Sequence, residues 1–187
     1  MISKLKQPAV LFVLIAVFVL PGFTCELPPK NGRVIDFEQE SDMDKLIWRC
    51  GTWFERVEGA PQGHYWLRAQ LPAGQYPGVR FFEFPANWLG YGGIAFTAFA
   101  PGKAGEKLHL RIDDQDAGPG YNDRFNRIFT LGETPQRYCV PTQEIRDYPE
   151  KRAMRLHKIK LIMVFLYEQQ TPTELFLDDF RLVDKCP

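Results

Sequence analysis

Residues 108–112, with the sequence LHLRI, alternate between apolar and polar side chains. The three aliphatic side chains have the spacing that places them on one face of a β-strand, and His109 and Arg111 then face the opposite way. Such alternation is typical of a strand that has one face on a core and the other toward solvent. The stretch therefore predicts a half-buried strand.

Segments of the same kind occur on both sides of residues 108–112, separated by turns rich in Gly and Pro. We predict further strands at Arg33–Phe37, His64–Leu71, Val79–Phe84, Gly93–Ala100, Arg127–Leu131, Arg137–Val140, Ile159–Tyr167 and Glu174–Val183. Ile159–Tyr167 is nearly all apolar, which is typical of a central strand buried on both faces. Helical turns are predicted at Asp42–Ile47 and Gln143–Tyr148. Roughly ten short strands with this punctuation indicate an all-β fold, an antiparallel jelly-roll β-sandwich.

Composition and charge exclude several classes of protein. The chain has 187 residues, of which 45% are hydrophobic, and this suffices for one domain with a real core. Lys plus Arg number 23, as do Asp plus Glu, so the formal net charge is zero. A general nucleic-acid-binding role needs a basic face and is not expected. No linker divides residues 25–187, which we predict to be a single domain.

Residues 1–24 are predicted to be a signal peptide. Lys4 and Lys6 precede an uninterrupted apolar run, Ala9–Leu20, which ends at a Pro-Gly pair. The run is short for a transmembrane helix, which needs about 20 residues, and it suits a signal-peptide core. We therefore expect export to the periplasm, the cell surface or the medium. Membrane contact is expected only through an uncleaved signal or through a lipid on Cys25, the first residue after cleavage.

The segment between two predicted strands, residues 87–93, carries candidate sugar-stacking residues. It follows a proline and is rich in Gly, which is typical of a loop, and it contains Trp88 and Tyr91. Exposed aromatic rings offer the flat apolar surface on which a sugar ring stacks. We predict ligand contact for both rings. The alternative is that they form a buried entry to the next strand.

Carboxylate, amide and guanidinium groups cluster farther along the chain. Asp114, Tyr121 and Asn126 would supply the donors and acceptors that sugar hydroxyls need. The competing interpretation is structural: Arg124 pairs with Asp113 or Asp114 and pins a loop to the sheet. A pair of acids for glycoside hydrolysis is the least favoured interpretation, because the sequence does not fix the carboxylate separation that this mechanism requires.

Motifs for other enzymatic chemistry are missing from the sequence. None of the three histidines stands in a nucleophile motif, and the GxSxG, phosphate-loop and HExxH patterns do not occur. We therefore predict that the protein is not an enzyme.

Three stretches of sequence carry a family resemblance. VIDFE at Val34–Glu38 and LFLDDFRL at Leu175–Leu182 resemble galactose-binding-like jelly rolls of the carbohydrate-binding-module type. Ile112–Asp114, followed by YNDRFN at Tyr121–Asn126, resembles the domain appended to bacterial VanZ-like membrane proteins. Similar domains occur in small exported proteins and in mitochondrial complex I assembly factors. The resemblance covers about residues 33–183.

The resemblance implies noncatalytic recognition of a glycan or polysaccharide by an exported protein. The alternative is a protein-interaction or assembly domain without a sugar ligand, and a glycan-active enzyme is less favoured. Fold analogy alone carries little information about function, so glycan arrays and turnover assays are needed to separate these classes.

The four cysteines, Cys25, Cys50, Cys139 and Cys186, allow three full pairings, and none has zinc-site spacing. In the resembling jelly rolls the first and last strands are antiparallel neighbours. This implies that Cys25 and Cys186 lie at the same end of that strand pair. We therefore expect a Cys25–Cys186 disulfide, with Cys50–Cys139 as a second, weaker candidate.

Many carbohydrate-binding jelly rolls hold structural Ca²⁺ where the first and last strands meet, and the resemblance implies such a site here. Glu38, with Asp178 or Asp179, would supply carboxylates, and backbone carbonyls would complete the coordination. Adjacent Asp side chains in a strand point to opposite faces unless a bulge intervenes. The alternative is that the inward Asp caps backbone N–H groups or pairs with an Arg such as Arg33.

Overall fold

The structure is a computed structural model that describes residues 32–47, 51–115 and 118–187. These residues form ten strands: β1 Arg33–Ile35, β2 Trp53–Glu58, β3 Tyr65–Leu71, β4 Gly78–Phe81, β5 Gly93–Phe99, β6 Lys107–Asp113, β7 Phe125–Thr130, β8 Gln136–Pro141, β9 Leu161–Phe165 and β10 Thr173–Val183. All the pairings between named strands are antiparallel. The predicted all-β jelly-roll sandwich is confirmed.

Two sheets pack face to face. The six-stranded sheet has the order β2-β3-β10-β5-β8, with β1 added to β10, and the four-stranded sheet has the order β4-β9-β6-β7. Alternating apolar side chains from both sheets fill the space between them, among them Leu67, Phe96 and Leu110, each at most 1% exposed. Burial of this apolar surface is the main force that holds the sheets together.

Most of the predicted strands are found within one or two residues of their expected bounds, with one addition. Strand β2 was not predicted, because its sequence WFERVE mixes charged side chains with apolar ones at the edge of a sheet. Strand β9 is central as predicted but is not buried on both faces, since Leu161 and Phe165 are half-buried. The predicted helical turns are a 3₁₀ turn at Glu40–Lys45 and the helix α1 at Thr142–Asp147.

The last strand, β10, organises the larger sheet. Its first half pairs with β3 from Thr173 to Leu177, and its second half pairs with β1, while β5 runs along its other edge. The register with β5 shifts between Asp178 and Arg181, and Asp179 has a φ of 45°. This bulge places both neighbouring Asp side chains in buried positions.

A disulfide joins Cys139 in β8 to Cys186 beyond β10. The predicted Cys25–Cys186 and Cys50–Cys139 bonds are therefore wrong, and Cys25 and Cys50 themselves lie outside the described residues. Strand β5 separates β10 from β8, so the C-terminal segment has to cross β5 to reach Cys139. A Cβ on Gly93 would lie 2.6 Å from the Cys186 sulfur; the bare glycine makes this crossing sterically feasible.

Candidate functional site

The register of the four-stranded sheet places two rows of side chains side by side on its outer face. The aromatic row crosses β4, β9, β6 and β7 at Gly78, Phe165, His109 and Ile128. The cationic row crosses the same strands at Arg80, Met163, Arg111 and Asn126. The residues that alternate with them, such as Val79 and Leu110, point into the core.

Neighbouring residues project beside the two rows, and together they enclose a groove of about 830 Å³. Tyr76 and Tyr167 extend the aromatic row, and Tyr121, Arg124 and Tyr148 border the cationic row. This volume is in the range of small-molecule binding sites, about 300–1,000 Å³. We call this surface the groove.

The aromatic row presents a cluster of rings in stacked, edge-on and tilted contacts. The Phe165 ring centroid lies 4.9 Å from that of His109 and 5.9 Å from that of Tyr76. Tyr76 and Tyr167 are 5.4 Å apart and remain 50% and 42% exposed. Gly78 stands beside Phe165, where a Cβ would come within 2.4 Å of the Phe165 Cβ. The strand pair can therefore approach closely there, and the groove keeps accessible ring surface.

His109 contributes an uncharged ring to this cluster. Burial lowers its pKa below the ordinary value of 6.5, since desolvation disfavours the imidazolium. The ring is therefore neutral at pH 7, and the aromatic row carries no charge.

The cationic row and its border contain several guanidinium groups. Arg111 donates to both carboxylate oxygens of Asp113, with Nε at 2.9 and 3.0 Å. Arg124 lies over the Tyr121 ring, 5.4 Å from its centroid, and its Nε donates to Asn126 Oδ1 at 3.2 Å. Burial lowers the pKa of Arg124, and the neighbouring charge of Arg111 lowers it further.

Two of the predicted ligand residues lie in the groove. Tyr121 is 63% exposed and, like Asn126, lines the groove. The Asn126 amide donates to the Tyr121 carbonyl at 3.0 Å, which holds the two residues together. Ligand contact by these residues stays a prediction.

Asp114 does not line the groove, so its predicted ligand role is corrected. Its side chain is fully buried, and both oxygens accept from Arg152 at 2.7 Å. The Arg155 backbone N–H donates to it at 2.8 Å. Burial alone would raise the Asp114 pKa, but the hydrogen bonds from these arginines outweigh burial and lower the pKa to about 2. Asp114 is thus a structural anchor. The loop-pinning role predicted for Arg124 belongs to Arg152, which also binds Asp123.

The structure leaves no ring surface of Trp88 for sugar stacking, so its predicted role is corrected. Trp88 is fully buried, and its indole N–H donates to the Pro85 carbonyl at 3.0 Å. Tyr91 is half-buried against the core. Neither residue lines the groove. The burial of Trp88 agrees with the alternative interpretation of a buried entry to β5, and ligand contact by Tyr91 stays a prediction. A Gly-rich sequence indicates a turn, but it does not show which way the flanking rings point.

The carboxylates predicted to hold Ca²⁺ have other partners. Glu38 Oε1 accepts the backbone N–H groups of His64 and Tyr65 at 2.8 and 3.0 Å. Asp179 is paired with Arg137 at 2.6 Å and Arg181 at 2.8 Å.

Among the residues that the structure describes, no group of three or more His, Cys, Asp or Glu side chains has metal-binding geometry. Calcium binding stays an untested prediction.

Asp178 is a buried acid with one unbonded oxygen. Its Oδ1 accepts the Asp179 N–H at 2.6 Å, and its Oδ2 has no hydrogen-bond partner in the described structure. Burial raises the pKa of Asp178 to about 7, and the charges of Asp179, Glu38 and Asp36 add to this rise. The native state therefore keeps a proton that the unfolded chain loses at lower pH.

We expect Asp178 to make the protein less stable as the pH rises from about 4 to 7. The pKa of Asp178 is higher in the native state than the ordinary value of 3.8. As the pH rises above 4, the unfolded chain releases this proton freely, whereas the native state must either keep it or bury a charged carboxylate, and both lower the free energy of unfolding. Asp178→Asn should remove this slope, so the variant gains stability over the parent at pH 8 more than at pH 4. Urea unfolding across this range measures the difference. Asp44→Asn, at an exposed position, is the control, and equal slopes in parent and Asp178→Asn would refute the assignment.

Only some of the residues that line the groove could be predicted from the sequence. His109 and Arg111 were expected on the outer face because of their alternation. Tyr76, Phe165 and Tyr167 were missed as site residues, since the strand register that assembles them is not visible in local sequence.

Comparisons with known proteins identify the fold. No protein-family model and no curated protein matches this chain, so the VanZ-like resemblance stays a prediction. Within the described part of the chain, no helix has the length and hydropathy to cross a membrane.

Several solved structures share the architecture. One is the family 11 carbohydrate-binding module of Clostridium thermocellum in complex with a β-1,3-1,4-mixed-linked tetrasaccharide. It is 15% identical, with a TM-score of 0.60 over 82% of this chain and 95% of that one. The family 30 carbohydrate-binding module of a Clostridium thermocellum cellulosomal cellulase is 11% identical, with a TM-score of 0.51 over 76% and 88%. An exo-β-agarase is 14% identical, with a TM-score of 0.60 over 83% of this chain and 25% of its own. At these identities the likeness establishes a shared jelly-roll fold.

Proposed function

We propose that this protein binds carbohydrate without catalysis, in the groove over the four-stranded sheet. The aromatic row is the observation that carries the proposal, because Tyr76, Phe165 and Tyr167 cluster along an open groove beside hydrogen-bonding groups. Sugar rings pack their C–H faces on aromatic planes, and their hydroxyls bond to polar groups nearby. The shared fold of a carbohydrate-binding module in complex with a tetrasaccharide supports the proposal.

The described lining of the groove favours binding over hydrolysis. Of its lining residues only Glu144 is acidic, and Glu144 is ion-paired with Arg127. Glycoside hydrolysis commonly uses two carboxyl groups on opposite sides of the scissile bond. The described lining therefore supports recognition of a glycan, and turnover on a polysaccharide panel tests the alternative.

We expect Tyr167→Ala to weaken glycan binding by about tenfold, equivalent to about 1.4 kcal/mol. The substitution removes a 42% exposed ring from the aromatic row, so it should leave the melting temperature nearly unchanged. Binding is measured by titration calorimetry on hits from a glycan array.

Trp53→Ala is the matched control, since Trp53 is an exposed aromatic residue on the other sheet. Equal losses from both variants would show that the groove is not the binding site. If the array retains no glycan at all, the proposal fails and an interaction or assembly role takes its place.

We also propose that the protein is exported. The Cys139–Cys186 disulfide supports this, because disulfides persist in oxidising compartments. The predicted signal peptide, residues 1–24, lies outside the described residues. Cell fractionation with mass analysis of the mature N-terminus tests export, cleavage and lipid attachment to Cys25 together.

A further inference from the structure

We propose that the groove selects glycans that carry anionic groups, either uronate carboxylates or sulfate esters. This inference rests on the proposed carbohydrate binding and names the class of ligand. It follows from the charges of the lining residues and from the balance of hydrogen-bond donors and acceptors.

Arginines outnumber acids along the groove although the whole chain is neutral. Its lining includes Arg80, Arg111, Arg124 and Arg127, against the one acid, Glu144. Arg127 and Glu144 neutralise each other at the rim, where both are substantially exposed. Arg111 is likewise paired with Asp113 at the end of β6. The four arginines therefore outnumber the two acids that pair with them.

Placement of these groups favours a shared anionic ligand. Arg80 and Arg111 flank Met163 in register on β4, β9 and β6, so they stand two strand spacings apart, about 10 Å. Arg124 lies close enough to Arg111 for the two charges to repel each other. The Asp113 carboxylate, which is bonded to Arg111, offsets part of this repulsion. An anionic ligand beside Arg124 would offset more of it.

Arg124 has donors to offer to such a ligand. Its Nε donates to Asn126 Oδ1, while its terminal nitrogens make no hydrogen bond or ion pair with any residue the structure describes. A guanidinium presents these donors in a planar fork that matches the paired oxygens of a carboxylate or sulfate.

The hydrogen-bonding character of the groove points the same way. Neutral sugar hydroxyls both donate and accept, so a site for them needs acceptors as well as donors. The tyrosine hydroxyls of the lining can both donate and accept. The four arginines only donate, and the acceptors Asn126 Oδ1 and Glu144 Oε1 are already engaged, so donors exceed acceptors. A lining rich in donors fits a ligand rich in acceptors, which is the chemistry of an acidic polysaccharide.

The test compares charged polymers with neutral polymers of the same backbone. Polygalacturonate is paired with its carboxyl-reduced form, and a sulfated galactan is paired with its desulfated form. We expect at least one charged polymer to bind about tenfold more tightly than its neutral partner, with affinity that falls as NaCl rises. The pair that shows the preference identifies carboxylate or sulfate as the recognised group.

Two arginine variants test whether the preference for charged polymers arises in the groove. Arg124→Gln should lose about tenfold in affinity for the charged polymer and little for the neutral one. Arg146→Gln removes the same charge from an exposed position outside the groove and should change neither.

Equal affinity for charged and neutral polymers would overturn anionic selection and leave the proposed function intact. Absence of binding to every polymer would overturn both. Single-stranded DNA binding as tight as the charged polymer would identify a general anion patch and overturn selection of glycans.

Discussion

Trp88→Ala is expected to lower the free energy of unfolding by about 3–5 kcal/mol, the usual cost of removing a buried Trp. Trp88 is fully buried, packs near Phe84, and donates its indole N–H to Pro85. The variant therefore loses apolar burial and leaves the Pro85 carbonyl without this donor. Because natural domains are stable by about 5–15 kcal/mol, the loss is a large share of the total. Urea unfolding monitored by circular dichroism measures it.

Trp53→Ala is again the matched control, because Trp53 is 59% exposed at the edge strand β2. It should change stability little. Glycan affinity of folded Trp88→Ala, measured well below its melting temperature, should equal that of the parent. A stable variant with lost affinity would instead place Trp88 at the ligand.

Asp114→Ala is expected to cost about 3 kcal/mol, the lower end for breaking a buried ion pair. The lower end applies because Arg152 and Arg155 remain 27% and 45% exposed, so water partly solvates them when the carboxylate is gone. The Arg155 N–H also loses its acceptor. Thermal and urea unfolding at pH 7 measure the change.

The pH dependence of the free energy of unfolding gives a second measure of how much Asp114 stabilises the protein. Its native pKa of about 2 lies below the unfolded value of 3.8, so its stabilisation is present above pH 4 and is lost as the pH falls toward 2. The variant should lose less stability over this interval than the parent. Asp147→Ala, which breaks an exposed pair with Arg146, should behave like the parent, and a similar loss from both variants would contradict a buried anchor at Asp114.

The sequence predicted the fold well because the relevant signals are local. Alternation in LHLRI showed that strand β6 has one buried face and one open face, and Gly and Pro marked the turns around it. Strand β2 was missed for a local reason too, since its charged side chains obscure the alternation at a sheet edge.

The candidate site was harder to predict because it depends on long-range pairing. Met163 comes to lie between Arg80 and Arg111 only through the register of β9 with two strands far from it in sequence. The disulfide pairing was hard to predict for the same reason. Four cysteines allow three full pairings, and only the path of the chain after β10 brings Cys186 to Cys139.

The central position of β10 has a consequence for the order of folding. This strand supplies partners to β1, β3 and β5, so the larger sheet cannot assemble until Val183 has been synthesised. Pairing between segments so distant in sequence is slow, typically milliseconds to seconds. Until then the edges of β3 and β5 stay open to other chains. During biosynthesis the protein therefore depends on the arrival of its last strand to avoid aggregation.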